Sequence, residues 1–133
     1  MSYRLAIFDL DGTLLDTLED LKDSVNYALT RNGFPTRTAT EICTFIGSGA
    51  RHLCTCALPS GACDEIIAKV MSDFQEHYKE NGENATRPYD GICKMLADLK
   101  NAGIKTAVLS NKPDHAVIPL CEHYFPSLSS PIL

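Results

Sequence analysis

The chain has 133 residues, a formal net charge of −5, 44% hydrophobic and 22% charged residues, which is enough for one domain with a real core and an ordinary globular composition. The acidic balance argues against non-specific nucleic-acid binding, which needs a basic face. No apolar run approaches the ~20 residues of a membrane span, and the start Met1-Ser2-Tyr3-Arg4 lacks a signal-peptide apolar region, so no membrane partner is expected and the expected location is the cytoplasm.

Arg4 to Asp9 reads as a strand, apolar at nearly every position, and is therefore expected to be buried on both faces as in a parallel sheet. Gly12 supplies a turn. Asp16 or Thr17 is a plausible helix cap, with Glu19 and Asp20 in the first turn, and Leu18, Leu21, Val25, Ala28 and Leu29 recur at helical spacing. Asn32-Gly33 ends that helix. Thr38 or Thr40 caps a short helix over Glu41–Phe45. Ile46-Gly47-Ser48-Gly49 is a loop, and a further helix follows through Arg51, Leu53 and Leu58 to the break at Pro59-Ser60-Gly61.

Asp64 to Lys79 is the next helix, with Ile66, Ile67, Val70, Met71, Phe74 and Tyr78 on one side. Glu80 to Asn84 is turn-like, and Arg87-Pro88-Tyr89-Asp90-Gly91 is hinge-like. Ile92, Met95, Leu96 and Leu99 mark a helix that ends at Asn101-Ala102-Gly103. A second β run covers Lys105–Leu109 and stops at Ser110-Asn111-Lys112. Pro113 is placed in the first turn of a helix that runs to about Tyr124, and Phe125 to Leu133 has no clear element. The two β runs flank residues 10–104, too many for one crossover helix. The expected class is α/β: a Rossmann-like core from residues 1–15 and 87–133, with a helical domain over 16–86 inserted into it.

Cys43, Cys54, Cys56, Cys63, Cys93 and Cys121 form no C-x-x-C pair. Neither a zinc ribbon nor a redox motif is supported, and they are read as ordinary buried or half-buried thiols.

The chemistry concentrates at Asp9-Leu10-Asp11-Gly12-Thr13, where two carboxylates follow directly on a strand. Open α/β sheets bind ligands at that end. Carboxylates there suit a hard cation such as Mg²⁺, a nucleophile, or a general acid/base; a turn with a helix cap is the structural alternative. An EF-hand loop fails, because with Gly12 at position six the first and twelfth positions are Ile7 and Leu18, neither a ligand.

This stretch after Ala6-Ile7-Phe8 resembles the first motif of the haloacid dehalogenase-like phosphohydrolases. The run ending in Ser110-Asn111-Lys112 resembles their second motif, and the helical insertion resembles their cap. Gly47-Ser48-Gly49-Ala50-Arg51, Pro88-Tyr89-Asp90-Gly91 and Ser110-Asn111-Lys112-Pro113 together are similar to the phosphoglycolate phosphatase group. The resemblance implies a Mg²⁺-dependent phosphatase for a small phosphorylated acid, working through an aspartyl-phosphate. Asp9 would be nucleophile and metal ligand. Asp11 would be general acid/base, with its carbonyl on the metal. Ser110 and Asn111 would bind the phosphoryl group with Thr13 in support, and Gly47, Ser48, Gly49 and Arg51 would read the rest of the substrate.

The resemblance also implies a third-motif lysine and fourth-motif acids after Ser110. Lys112 stands too near Ser110 for the third motif, and no β run precedes Asp114 or Glu122. The expectation is therefore a truncated chain that supplies half a site and leaves the first strand as an exposed edge open to self-association. A sugar phosphate mutase of the same superfamily and a non-catalytic binding remnant are the alternatives.

Overall fold

Strand β1 (Leu5–Phe8) pairs in parallel with β4 (Lys105–Val108), residue for residue from Leu5–Lys105 to Phe8–Val108, in the computed structural model, which describes residues 2–128. Between them lie β2 (Leu15–Asp16), the helices α1 (Leu18–Arg31), α2 (Ala39–Phe45), α3 (Ala50–Ala57) and α4 (Asp64–Asn81), then β3 (Arg87–Pro88) and α5 (Ile92–Asn101). Helix α6 (Asp114–Tyr124) follows β4. The expected order of elements is thus present. The stretch Phe125 to Leu133, expected to lack an element, lies outside the described residues from 129 onward.

The chain separates into two compact units, Met1–Asp16 with Arg87–Leu133, and Thr17–Thr86. In the first, Leu10, Leu14, Leu15, Leu96, Val108, Val117, Leu120, Cys121 and Phe125 form one buried cluster. The strand residues of β4 after Lys105 are buried, as a parallel strand requires. The matching expectation for β1 is corrected. Leu5 and Ile7 are 47% and 50% exposed, because these alternate residues share one face of the strand and that face is not buried among the described residues. Two short strands also escaped sequence reading. Leu15–Asp16 pairs antiparallel, as β2, with Arg87–Pro88 of the hinge-like segment, as β3, and two-residue runs carry no periodicity to detect.

The second unit is all helical. Its core joins Val25, Ala28 and Leu29 of α1 to Ile42, Leu53, Cys54, Ile67, Val70 and Phe74. Ser24 Oγ lies 2.8 Å from His77 Nδ1, and the Tyr27 and His77 rings stack at 4.4 Å, so polar contacts also tie α1 to α4. Helix α2 begins at Ala39, two residues before the expected Glu41. Thr38 caps it, with a reciprocal bond from the Thr38 N–H to the Glu41 carboxylate at 2.8 Å. That bond, first among its causes, holds the Glu41 carboxyl below its ordinary range. Pro113 precedes α6 as its cap residue instead of occupying the first turn.

Both ends of this unit meet at Asp20, which is 4% exposed. Its carboxylate accepts the Ala85 N–H at 2.9 Å, the Thr86 N–H at 2.7 Å and the Thr86 hydroxyl at 2.7 Å. The sequence reading gave Asp20 only a helix-dipole role.

The cysteines divide by burial. Cys54 and Cys121 are buried, and burial pushes their thiols up to about 12 and about 11. A raised thiol holds less thiolate at neutral pH, and thiolate is the reactive form. Maleimide labelling of the native chain followed by mass spectrometry should modify the exposed Cys43, Cys63 and Cys93 and spare Cys54 and Cys121 until denaturant is added. Labelling of Cys54 at the rate of Cys43 would contradict this packing.

Candidate active site

The register of β1 and β4 decides where the acidic loop goes. Phe8 stands opposite Val108, and the Leu109 N–H donates to the Phe8 carbonyl at 2.8 Å. Asp9 and Leu109 therefore leave the sheet side by side at its C-terminal end, where chain crossings open a crevice for ligands. Ser110 follows Leu109 at once.

Residues 10–15 form a tight loop at that end. The N–H groups of Thr13, Leu14 and Leu15 all point to the Leu10 carbonyl at 3.0–3.2 Å, and Gly12 N–H donates to the Leu15 carbonyl at 2.9 Å. Gly12 has φ +78°, a region that costs a side-chain-bearing residue about 1 kcal/mol or more. Leu10, Leu14 and Leu15 are fully buried beneath the loop. The apolar residues thus anchor it, and the polar ones at 9, 11 and 13 are left to face outward: Asp9 and Thr13 are exposed and Asp11 is partly covered. Asp9 Oδ1 accepts the Leu10 N–H at 2.8 Å, which steadies one carboxylate oxygen.

Asp11 is met by Lys112, which stands too near Ser110 for the third motif. Lys112 Nζ stands 3.3 Å from Asp11 Oδ1, with the lysine side chain 9% and the aspartate 14% exposed. Lys112 N–H donates to Ser110 Oγ at 3.1 Å, and Asn111 between them is exposed. Lys112 stands two residues past Ser110, so the short turn from β4 into α6 returns it to the sheet end. The signal was present in the chain, as a lysine in a turn of fixed length after the second β run. Its placement on Asp11 needed the pairing of β1 with β4, which spacing along the chain does not reveal.

The remaining site candidates lie in the helical unit. Gly47 and Ser48 are exposed, Gly47 and Gly49 take φ of +114° and +91°, and Gly49 caps α3. Arg51, for which a substrate carboxylate and a solvated place on the helix are both open, pairs with Asp64 at 3.0 Å on the exposed surface of its own unit. Such a pair between two well-hydrated groups adds little stability.

Asp9 and Asp11 offer oxygen donors of the type a hard cation takes, and no cluster of three or more His, Cys, Asp or Glu side chains suited to a metal occurs among the described residues. The Asp9 carboxylate with the Asp11 backbone carbonyl fits Mg²⁺, which commonly keeps one or two carboxylates and fills its other positions with water and substrate phosphate. No helix among the described residues is long and apolar enough to cross a membrane.

The profile of the haloacid dehalogenase-like hydrolases matches residues 6–124. A phosphoglycolate phosphatase of Agrobacterium fabrum is 37% identical over 125 residues, covering 89% of this chain and 52% of that protein. An N-acetylmuramic acid 6-phosphate phosphatase of Pseudomonas aeruginosa is 29% identical over 122 residues, covering 92% of this chain and 54% of that protein. A crystal structure from Lactobacillus delbrueckii subsp. bulgaricus, carrying a provisional phosphoglycolate phosphatase name, superposes with a TM-score of 0.92 at 33% identity, over 98% of this chain and 64% of that one. The chain spans about half the length of the curated relatives it matches. With the acidic loop on β1, the serine after β4 and a match that runs through both, the chain belongs to the haloacid dehalogenase-like hydrolase family.

Proposed function

We propose that this chain carries the phosphoryl-transfer end of a Mg²⁺-dependent phosphatase acting on a small phosphorylated acid of the 2-phosphoglycolate kind. The observation that carries the reading is the common sheet end: the Asp9–Thr13 loop leaves β1 where Ser110 leaves β4. The names of the more similar relatives support the substrate class.

In this reading an Asp9 oxygen attacks phosphorus, and the bond to the leaving oxygen breaks, which gives an aspartyl-phosphate. Asp11 delivers a proton to the leaving oxygen, then takes one from the water that attacks the intermediate and restores Asp9. The Ser110 hydroxyl oxygen already accepts from the Lys112 N–H, so its own proton is available to a phosphoryl oxygen. Thr13, exposed in the same loop, can add a second hydroxyl donor. Mg²⁺ held by Asp9 and Asp11 would supply charge neutralisation at the phosphoryl oxygens. Phosphoryl transfer gains most from such positioning and charge stabilisation.

The test is phosphate release by the full chain from 2-phosphoglycolate, N-acetylmuramic acid 6-phosphate and a hexose 1-phosphate, with Mg²⁺ and with EDTA. Release that needs Mg²⁺ and favours 2-phosphoglycolate is expected. No release from any ester, or hexose phosphate isomerisation in its place, overturns the reading.

A further inference from the structure

Lys112 has a role beyond that scheme. A lysine side chain that is 9% exposed has given up most of its hydration, and such burial persists only where an anion compensates it. The compensating anion here is Asp11, the residue on which proton transfer depends in the reading above. The serine that would hold the phosphoryl group is fixed by the same lysine, through its backbone N–H at 3.1 Å. One residue thus touches both the acid/base and the phosphate ligand.

We propose that Lys112 exchanges partners: it holds Asp11 in the free protein and turns its ammonium onto the phosphoryl oxygens when a dianionic phosphate monoester enters. The proposal rests on reading this sheet end as a phosphate monoester site. Its physical basis is charge. A phosphate dianion brought beside Asp9 and Asp11 meets two negative groups, and Lys112 is the cation already stationed at one of them. An ammonium has three donors and no fixed plane, so it can rotate between neighbouring anions where a guanidinium would hold one geometry. Asp11 Oδ1 stays engaged until an anion draws the lysine away. Proton transfer by Asp11 is therefore tied to an occupied phosphate site, and Lys112 acts on Asp11 as a positioning residue.

Inorganic phosphate is the probe, its affinity measured by calorimetry on the full chain with and without Mg²⁺. Lys112→Met should weaken phosphate binding about tenfold or more, while Lys112→Arg, which keeps the charge but not the freely rotating ammonium, should fall between Lys112→Met and the unmodified chain. Asp11→Asn should tighten phosphate binding severalfold by releasing the lysine, and it should do so by clearly less when Lys112 is already Met; a cycle over the four proteins isolates that coupling. Thermal melts of each variant separate folding from binding. Absent phosphate binding in the unmodified chain, equal affinity in the Lys112→Met variant, or a lowered melting temperature with unchanged affinity overturns the proposal. So does an equal effect of Asp11→Asn in both backgrounds. Turnover plays no part in these readings, so an inactive chain that still binds phosphate through Lys112 would sink the hydrolase reading and leave this one standing.

Discussion

Asp9→Asn should abolish phosphate release, by about 10³-fold or more, while leaving the fold intact. The expected loss is large because an amide oxygen is a poor nucleophile and cannot form a phosphate anhydride that turns over. The fold is spared because the substitution is nearly isosteric and exposed. The Leu10 N–H that now reaches Asp9 Oδ1 at 2.8 Å finds an amide oxygen in the same place. The buried anchors Leu10, Leu14 and Leu15 are untouched. Two measurements check it: the rate of phosphate release with Mg²⁺, and trapping of an acid-stable phosphoryl label on the protein. Both should vanish together, with the circular dichroism spectrum and melting temperature unchanged. A variant that keeps the rate and the label would show that another residue takes the phosphoryl group.

The second large effect is one of stability. Asp20→Ala should lower the stability of the helical unit by about 2–4 kcal/mol, since it removes a buried carboxylate that accepts from the buried Thr86 and from the Ala85 N–H. Asp20 lies in the first turn of α1, and its partners Ala85 and Thr86 lie at the far end of the same unit. Without the carboxylate, the N–H groups of the buried Thr86 and the exposed Ala85 lose this acceptor, while the Thr86 hydroxyl keeps the Gly82 carbonyl at 3.0 Å. The ends of the unit would also lose one of the ties across residues 17–86, leaving the flanking β2–β3 pair and helix packing to meet the entropic cost of closing a long loop. Thermal unfolding should show a transition lower by about 10 °C or more. Asp20→Asn should fall between, since an amide oxygen still accepts but carries no charge. An unchanged melting temperature for Asp20→Ala would show that water replaces the carboxylate without loss.

These two residues show what could be read without coordinates. Asp9 announces itself, because its neighbours are an apolar β run on one side and Asp11-Gly12-Thr13 on the other, and all of that information is local. Asp20 looks like any acid in the first turn of a helix. Its role depends on Thr86, 66 positions away in the chain. Lys112 belongs to the second kind, because its partner Asp11 is distant in sequence and is reached only through the strand pair. The partner of Arg51 is likewise set by the fold. The arginine suits an anion, and Asp64, brought near at the start of α4, supplies one.

The sequence by itself determined the parts whose physics is local: the periodic helices, the β runs, the glycine turn at residue 12, and the acidic loop with its chemical type. Tertiary structure alone decided what depends on partners. It left Leu5 and Ile7 half exposed, because burial of a strand needs neighbours that its own residues cannot specify. It paired Leu15–Asp16 with Arg87–Pro88, too short to show a pattern. And it set the Lys112 ammonium against Asp11, because parallel pairing in one register brings the ends of β1 and β4 to the same place.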